Sequence, residues 1–209
     1  VWDNELRGNV ANNGNTVTGN GYGGGLYVLS ATVTVADNEV LGNLAATGGE
    51  GYGGGAYFES SSALVIDNLL RANLGSRDDN GRGGGISARY CTLTVSHNIV
   101  YTNTAGLADT SYGGGIYLRD CQAALEDNLV QDNVAARDAY GIGGGLELSG
   151  GGEVALHHNW IVSNSGSIGG SGSGGGINFG ATTATLEADT LLFNVATYSP
   201  TASLNTGHA

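Results

Sequence analysis

Gly113-Gly114-Gly115-Ile116-Tyr117-Leu118 opens a stretch that continues through Cys121-Gln122-Ala123-Ala124-Leu125-Glu126-Asp127-Asn128 to Leu129-Val130-Gln131-Asp132-Asn133. It holds three short apolar segments set apart by polar residues. Ile116 and Leu118 flank a variable Tyr117, and Ala123 and Leu125 flank Ala124. Apolar residues two apart mark a strand with one face buried. The same stretch recurs along the chain. Glycine triplets begin at Gly23, Gly53, Gly83, Gly113, Gly143 and Gly174, in steps of 30, 30, 30, 30 and 31. Asn38, Asn68, Asn98, Asn128 and Asn159 keep that register, and so do Asn43, Asn73, Asn103, Asn133, Asn164 and Asn194. Asn4 and Asn9 lie 34 residues ahead of Asn38 and Asn43, which assigns about four extra residues to the loop between Asn12 and Asn20.

A unit with three short strands cannot bury its own apolar face, whereas stacked copies make a continuous core. The reading is an all-β, parallel β-solenoid of about six coils, with three short strands per coil of about 30 residues spaced about 4.8 Å apart. It spans residues 1–196 as a single domain and leaves 197–209 as a Ser/Thr-rich C-terminal tail. Asn residues at equivalent positions form ladders at the bends, each amide donating to the next carbonyl, and Asn tolerates the left-handed backbone of a sharp bend.

Composition narrows the function. The 209 residues include 39 Gly and 20 Asn, and 19 acids oppose seven bases, all Arg, for a net charge of −12. Nucleic acids and anionic membrane surfaces are recognised through Lys and Arg, so neither is an expected partner. No apolar run approaches the ~20 residues of a membrane-spanning helix, so membrane insertion is not expected. The chain has no Met and no charged-then-apolar leader, which suits a processed, exported protein or an excised piece of one.

Gly-Gly-Gly-Ile-Tyr at 113–117, Leu-Val-Gln-Asp-Asn at 129–133 and Leu-Leu-Phe-Asn at 191–194 resemble the repeats of right-handed parallel β-helices of the pectin-lyase-like superfamily. More narrowly, they are similar to the Gly-Gly-apolar and x-x-Asn repeats of polymorphic outer-membrane and autotransporter passengers. The resemblance implies a right-handed β-helix displayed outside the cell or on its surface. Lyases of that superfamily use a basic residue with Ca²⁺ on clustered acids, and its hydrolases use several Asp with Gly-His-Gly and Arg-x-Lys. Here Lys is absent, and only Asp78-Asp79, flanked by Arg77 and Arg82, imitates part of either set. No complete catalytic motif is present, and the expectation is a protein that is not an enzyme.

Four sets of residues are candidates for function. Glu50, Asp78, Asp79, Asp109 and Asp138 precede successive glycine triplets. Stacked at strand spacing they are candidate Ca²⁺ ligands, since like charges that close repel unless bridged; the alternative is solvated loops. Asp37, Asp67, His97, Asp127 and His158 form a second column, either exposed turns or a site for a transition metal. Cys91 and Cys121 lie one coil apart, within the roughly 4.4–6.8 Å that a disulfide spans, and oxidation is expected in an exported chain. Tyr22, Tyr52 and Tyr112 line one side of the glycine column, and Tyr27, Tyr57 and Tyr117 stand on the other, outlining a shallow groove for a sugar or a neighbouring rod.

The expected function is a non-catalytic extracellular structural protein. In this reading copies of the chain stack head to tail through bare solenoid ends into a filament or stalk, stabilised by Ca²⁺. The alternative is a surface adhesin that binds polysaccharide on the Tyr face, and a less favoured one is a polysaccharide lyase or hydrolase.

Overall fold

The computed structural model describes residues 1–14 and 19–197. Those residues form a parallel β-solenoid of about six coils, with every strand paired to its equivalents in the coils before and after. The expected tail falls almost wholly outside the described residues. Among the described residues no helix is long and apolar enough to cross a membrane.

One coil shows the plan. Gly81–Arg82, Ile86–Arg89, Thr92–Ser96, Ile99–Tyr101 and Thr104–Gly106 are its strands. The second, third and fourth of these are the three segments foreseen from period-two patterning. The other two were not foreseen, because strands of two and three residues made largely of Gly, Ala, Ser and Thr carry no alternation to detect. Stacking gives five sheets, two of seven strands and three of six. Register follows the repeat: Ala63 pairs Leu93, and Leu93 pairs Ala123. The offset is 34 up to Asn12↔Ala46 and 30 from Gly21↔Gly51, so the four extra residues lie where the sequence placed them. The additional residue of the fifth step lies between Arg119↔Ser149 and Ala123↔Val154.

Inward positions stack into one core, in which Phe58, Ala88, Leu118 and Leu148 share a column, as do Val65, Val95, Leu125 and Leu156. Leu70, Val100, Val130 and Ile161 close the third side. The glycine triplets turn the chain into this core. Gly53 holds φ +64°, which L side chains rarely adopt. A Cβ on Gly54 would lie 2.4 Å from the Leu74 carbonyl carbon and 2.5 Å from the Gly84 oxygen, so only a bare backbone passes there.

Both Asn ladders form as expected and are buried. Asn98 shows the pattern. Its backbone N–H donates to Asn128 Oδ1 at 2.9 Å, and its Nδ2 donates to the same oxygen at 3.1 Å. Nδ2 also donates to Ser96 O and Val65 O, each at 2.9 Å. One side chain thereby satisfies backbone groups in two coils and bonds the Asn of a third, and buried backbone groups need such partners. The left-handed residue is not the Asn but the one before it: Asp67, His97 and Asp127 have φ of 55°, 56° and 53°. Asp189 continues the first ladder, since its Oδ1 accepts from Asn159 N at 2.7 Å and from Asn159 Nδ2 at 2.8 Å. It stands 30 residues after Asn159, and counting alone could have found it.

Candidate functional site

The expected Ca²⁺ column does not assemble. Glu50 turns to Arg82, with Nη1–Oε1 3.1 Å, and accepts from the Tyr52 hydroxyl at 2.6 Å. Asp79 and Asp109 accept from the backbone N–H groups of Asn80 and Thr110, closing their own turns at 2.6 Å. Among the described residues no three His, Cys, Asp or Glu side chains come together in a way that could hold a metal ion. Glu50, Asp79 and Asp109 have closer partners of their own, so stacking of the coils does not gather the set.

The Asp/His column occupies the left-handed corner residues. Asp and His are among the few L residues enriched in that conformation, which accounts for their recurrence. His97 and His158 approach Asp127 only to 3.8 and 3.9 Å, with the side chains about half exposed.

The cysteines stack one coil apart as expected, but the disulfide does not form: both are free and buried. Each sulfur turns toward the carbonyl two residues back, Arg89 O and Arg119 O, at 3.2 Å. Cys91 N donates to Cys121 Sγ at 3.4 Å. Ser61 fills the same place one coil earlier, donating to Glu59 O at 2.8 Å and accepting from Ala31 N at 3.2 Å. The column is therefore a third corner ladder, and sharing a side-chain orientation sets the sulfurs in line rather than bonding them. The closeness of the two thiols draws Cys91 down to about 7 and, with burial, pushes Cys121 up.

The tyrosines do converge, though not around bare glycines. The two columns pack on one another and cover the glycine corner. Tyr52 and Tyr57 lie 5.6 Å apart between ring centroids, Tyr22 and Tyr52 5.2 Å, and Tyr27 and Tyr57 5.4 Å. Tyr57, on the outward side of its strand, is consequently only 1 % exposed. Aromatic pairs at such distances are favourable beyond the area they bury.

The stack changes character along the rod. In the outer column Tyr22 and Tyr52 give way to Arg82, whose guanidinium lies 5.0 Å from the Tyr52 ring centre and 5.5 Å from that of Tyr112. Arg82 also donates to Tyr52 Oη at 3.1 Å. Burial, helped by the Glu50 hydrogen bond, raises Tyr52 to about 12. Glu50 lies below the usual carboxylate range: burial opposes its charge, but the Tyr52 hydrogen bond and Arg82 outweigh it. In the inner column the order is Tyr27, Tyr57, Ser87, Tyr117, Glu147 and Asn178. Ser87 interrupts the tyrosines and leaves a hollow of about 40 Å³ lined by Tyr52, Tyr57, Arg82, Arg89, Tyr117 and Arg119. Beyond Tyr117 a wider cleft of about 270 Å³ reaches Glu147. Glu147 is 4 % exposed and accepts from Asn178 Nδ2 at 2.7 Å. Burial raises its carboxyl to about 7.

The six tyrosines were legible as a group. Arg82, Arg89, Arg119, Ser87 and Glu147 were not, although each falls at a register position of a tyrosine column or its flank. No protein family, curated protein or solved structure matches the chain.

Proposed function

We propose that this chain is a non-catalytic, exported β-solenoid that binds saccharide along the face formed by its two packed tyrosine columns. The observation that carries this reading is the aromatic stack of exposed Tyr22 and Tyr27 and half-buried Tyr52 leading into the cleft bounded by Tyr112, Tyr117 and Arg82. Aromatic faces stack on the apolar faces of sugar rings, and guanidinium and phenol groups beside them orient hydroxyls. The pectin-lyase-like or autotransporter kinship suggested by the repeats would suit such a role at a cell surface. Retention on immobilised oligosaccharides tests it. Wild-type protein is expected to be retained on at least one glycan and Tyr112→Ala to be retained at least about tenfold less, the worth of roughly 1.4 kcal/mol of stacking. Equal behaviour of the two proteins removes this face from consideration.

End-to-end assembly is a second reading, and one observation favours it. Phe179, Leu186 and Leu191 are each 45 % exposed, whereas their equivalents one coil earlier, Leu148, Leu156 and Ile161, are at 0, 1 and 0 %. An apolar ring of this kind suits another coil stacked on it, and a second copy of the chain carries such coils. Sedimentation velocity across a concentration series is expected to show head-to-tail species, and a single monomeric boundary throughout rules them out.

A further inference from the structure

Three of the seven arginines of this acidic chain, Arg82, Arg89 and Arg119, meet at the hollow over Ser87. Two are engaged by carboxylates: Arg82 by Glu50 at 3.1 Å and Arg119 by Asp120 at 3.4 Å. Arg89 makes no ion pair among the described residues; the nearest acid in its ladder, Glu59, accepts instead from Tyr27 Oη at 3.1 Å. Arg89 nevertheless pairs directly with Arg119 on the adjoining strand, and like charges placed opposite one another destabilise a sheet. Among the described residues the buried hydroxyl of Ser87, itself 1 % exposed, has no hydrogen-bond partner, and neither has Arg89 Nε. Buried donors left unpaired destabilise the fold. Arg89 Nη2 donates to the Tyr90 hydroxyl at 2.9 Å, and Ser87, Arg89 and Arg119 all line the one hollow. A water needs about 10–15 Å³ of such space, so the hollow admits about three or four water-sized groups, as many as the oxygens of a small oxyanion, and excludes a sugar ring.

We propose that the hollow over Ser87 is an oxyanion subsite that takes one carboxylate or sulfate group, held by the Ser87 hydroxyl and the guanidinium groups of Arg89 and Arg119. An oxyanion supplies acceptors for both unpaired donors and negative charge beside two arginines that pair on adjoining strands, and guanidinium binds such groups with two parallel N–H bonds. Arg82, already neutralised by Glu50, forms the wall and sets the width. The group arrives either as a free anion or as the acidic substituent of a sugar lying on the tyrosines; only the second route rests on the saccharide reading.

The test uses inorganic sulfate and acetate, titrated at constant ionic strength and followed through the Arg Nε–H and Ser87 amide resonances of the intact chain. Saturable shifts confined to Ser87, Arg89 and Arg119 are expected, weakened at least about tenfold in Arg89→Gln, the loss of one charge-assisted contact. Ser87→Val, which fills the hollow, is expected to abolish them while leaving the melting temperature near or above that of wild type. Shifts that never saturate, or that persist unchanged in Arg89→Gln, show a hydrated hollow and overturn the proposal. Glucuronate and glucose distinguish the sources. Glucuronate binding more tightly than acetate points to a sugar-borne group, and equal binding to a free anion. Sulfate binding without retention on any glycan leaves the subsite standing and removes the saccharide reading alone.

Discussion

Two columns run the length of this solenoid under opposite rules. Asn38, Asn68, Asn98, Asn128 and Asn159 hold one residue type for five consecutive coils, while Tyr27, Tyr57, Ser87, Tyr117, Glu147 and Asn178 change almost at every step. Both columns are largely buried. The difference lies in what each side chain touches. An Asn in the first column binds backbone atoms, which are identical in every coil, so one solution serves throughout. A side chain in the second binds its neighbours' side chains, so each choice constrains only the next. Invariance reports a backbone requirement, and variation within a buried column reports freedom that function can use.

Substitutions can break this contrast. The largest effect is expected for Asn98→Ala, which removes the acceptor of Asn68 N and Nδ2 and the donor to Val65 O, Ser96 O and Asn128 Oδ1. Loss of about 3–5 kcal/mol in chemical denaturation is expected. Asn4→Ala, at the exposed start of the same ladder, is expected to cost under about 1 kcal/mol. Similar losses at both positions would show that the ladder is not what the burial makes it.

Glu147 comes next. Its carboxyl is raised to about 7 by burial from an ordinary 4.5, so between those values the folded state binds more proton than the unfolded state. Stability must then fall as pH rises from about 4.5 to about 7 and level off above. Glu147→Gln keeps the acceptor for Asn178 and cannot ionise. Its advantage over wild type is expected to grow to roughly 2–3 kcal/mol by pH 8, read from paired melts. A pH-independent difference would mean that the side chain is not held away from water.

Cys121→Ser is expected to be mild, within about 1 kcal/mol, because Ser61 already performs the same corner role in an earlier coil. A large loss would mark the thiol pair as special. The smallest effect belongs to the corner column outside the ladders: Asp127→Asn is expected to change stability by less than about 0.5 kcal/mol, since its contacts to His97 and His158 are long and half-exposed and Asn tolerates the same backbone.

The contrast also explains what could be read in advance. Asn98 and Leu125 were legible because their roles recur every coil and strand periodicity needs no neighbour to be known. The disulfide was misjudged because spacing fixes where Cys91 and Cys121 sit, not where their sulfurs turn, and the carbonyls of Arg89 and Arg119 decide that. The acids before the glycine triplets were grouped by height in the stack, yet Glu50 found Arg82, a partner in the next coil. Ser87 passed as one more variable residue. Its meaning comes from Tyr57 and Tyr117 on either side, from Arg82 and Arg89 in its own coil and from Arg119 in the next, a conjunction that no single repeat displays.

The extra residue between Ser149 and Val154 has a broader consequence. Gly150-Gly151-Gly152 absorbs it in one corner, with Gly152 at φ +130° and Gly151 N held by Asp120 Oδ1 at 2.9 Å, and both Asn ladders resume in phase on the far side. That corner is a natural splice point. Foreign peptide grafted there would protrude sideways without disturbing the storeys above or below, which makes the scaffold a ready pole for displaying loops at a chosen height.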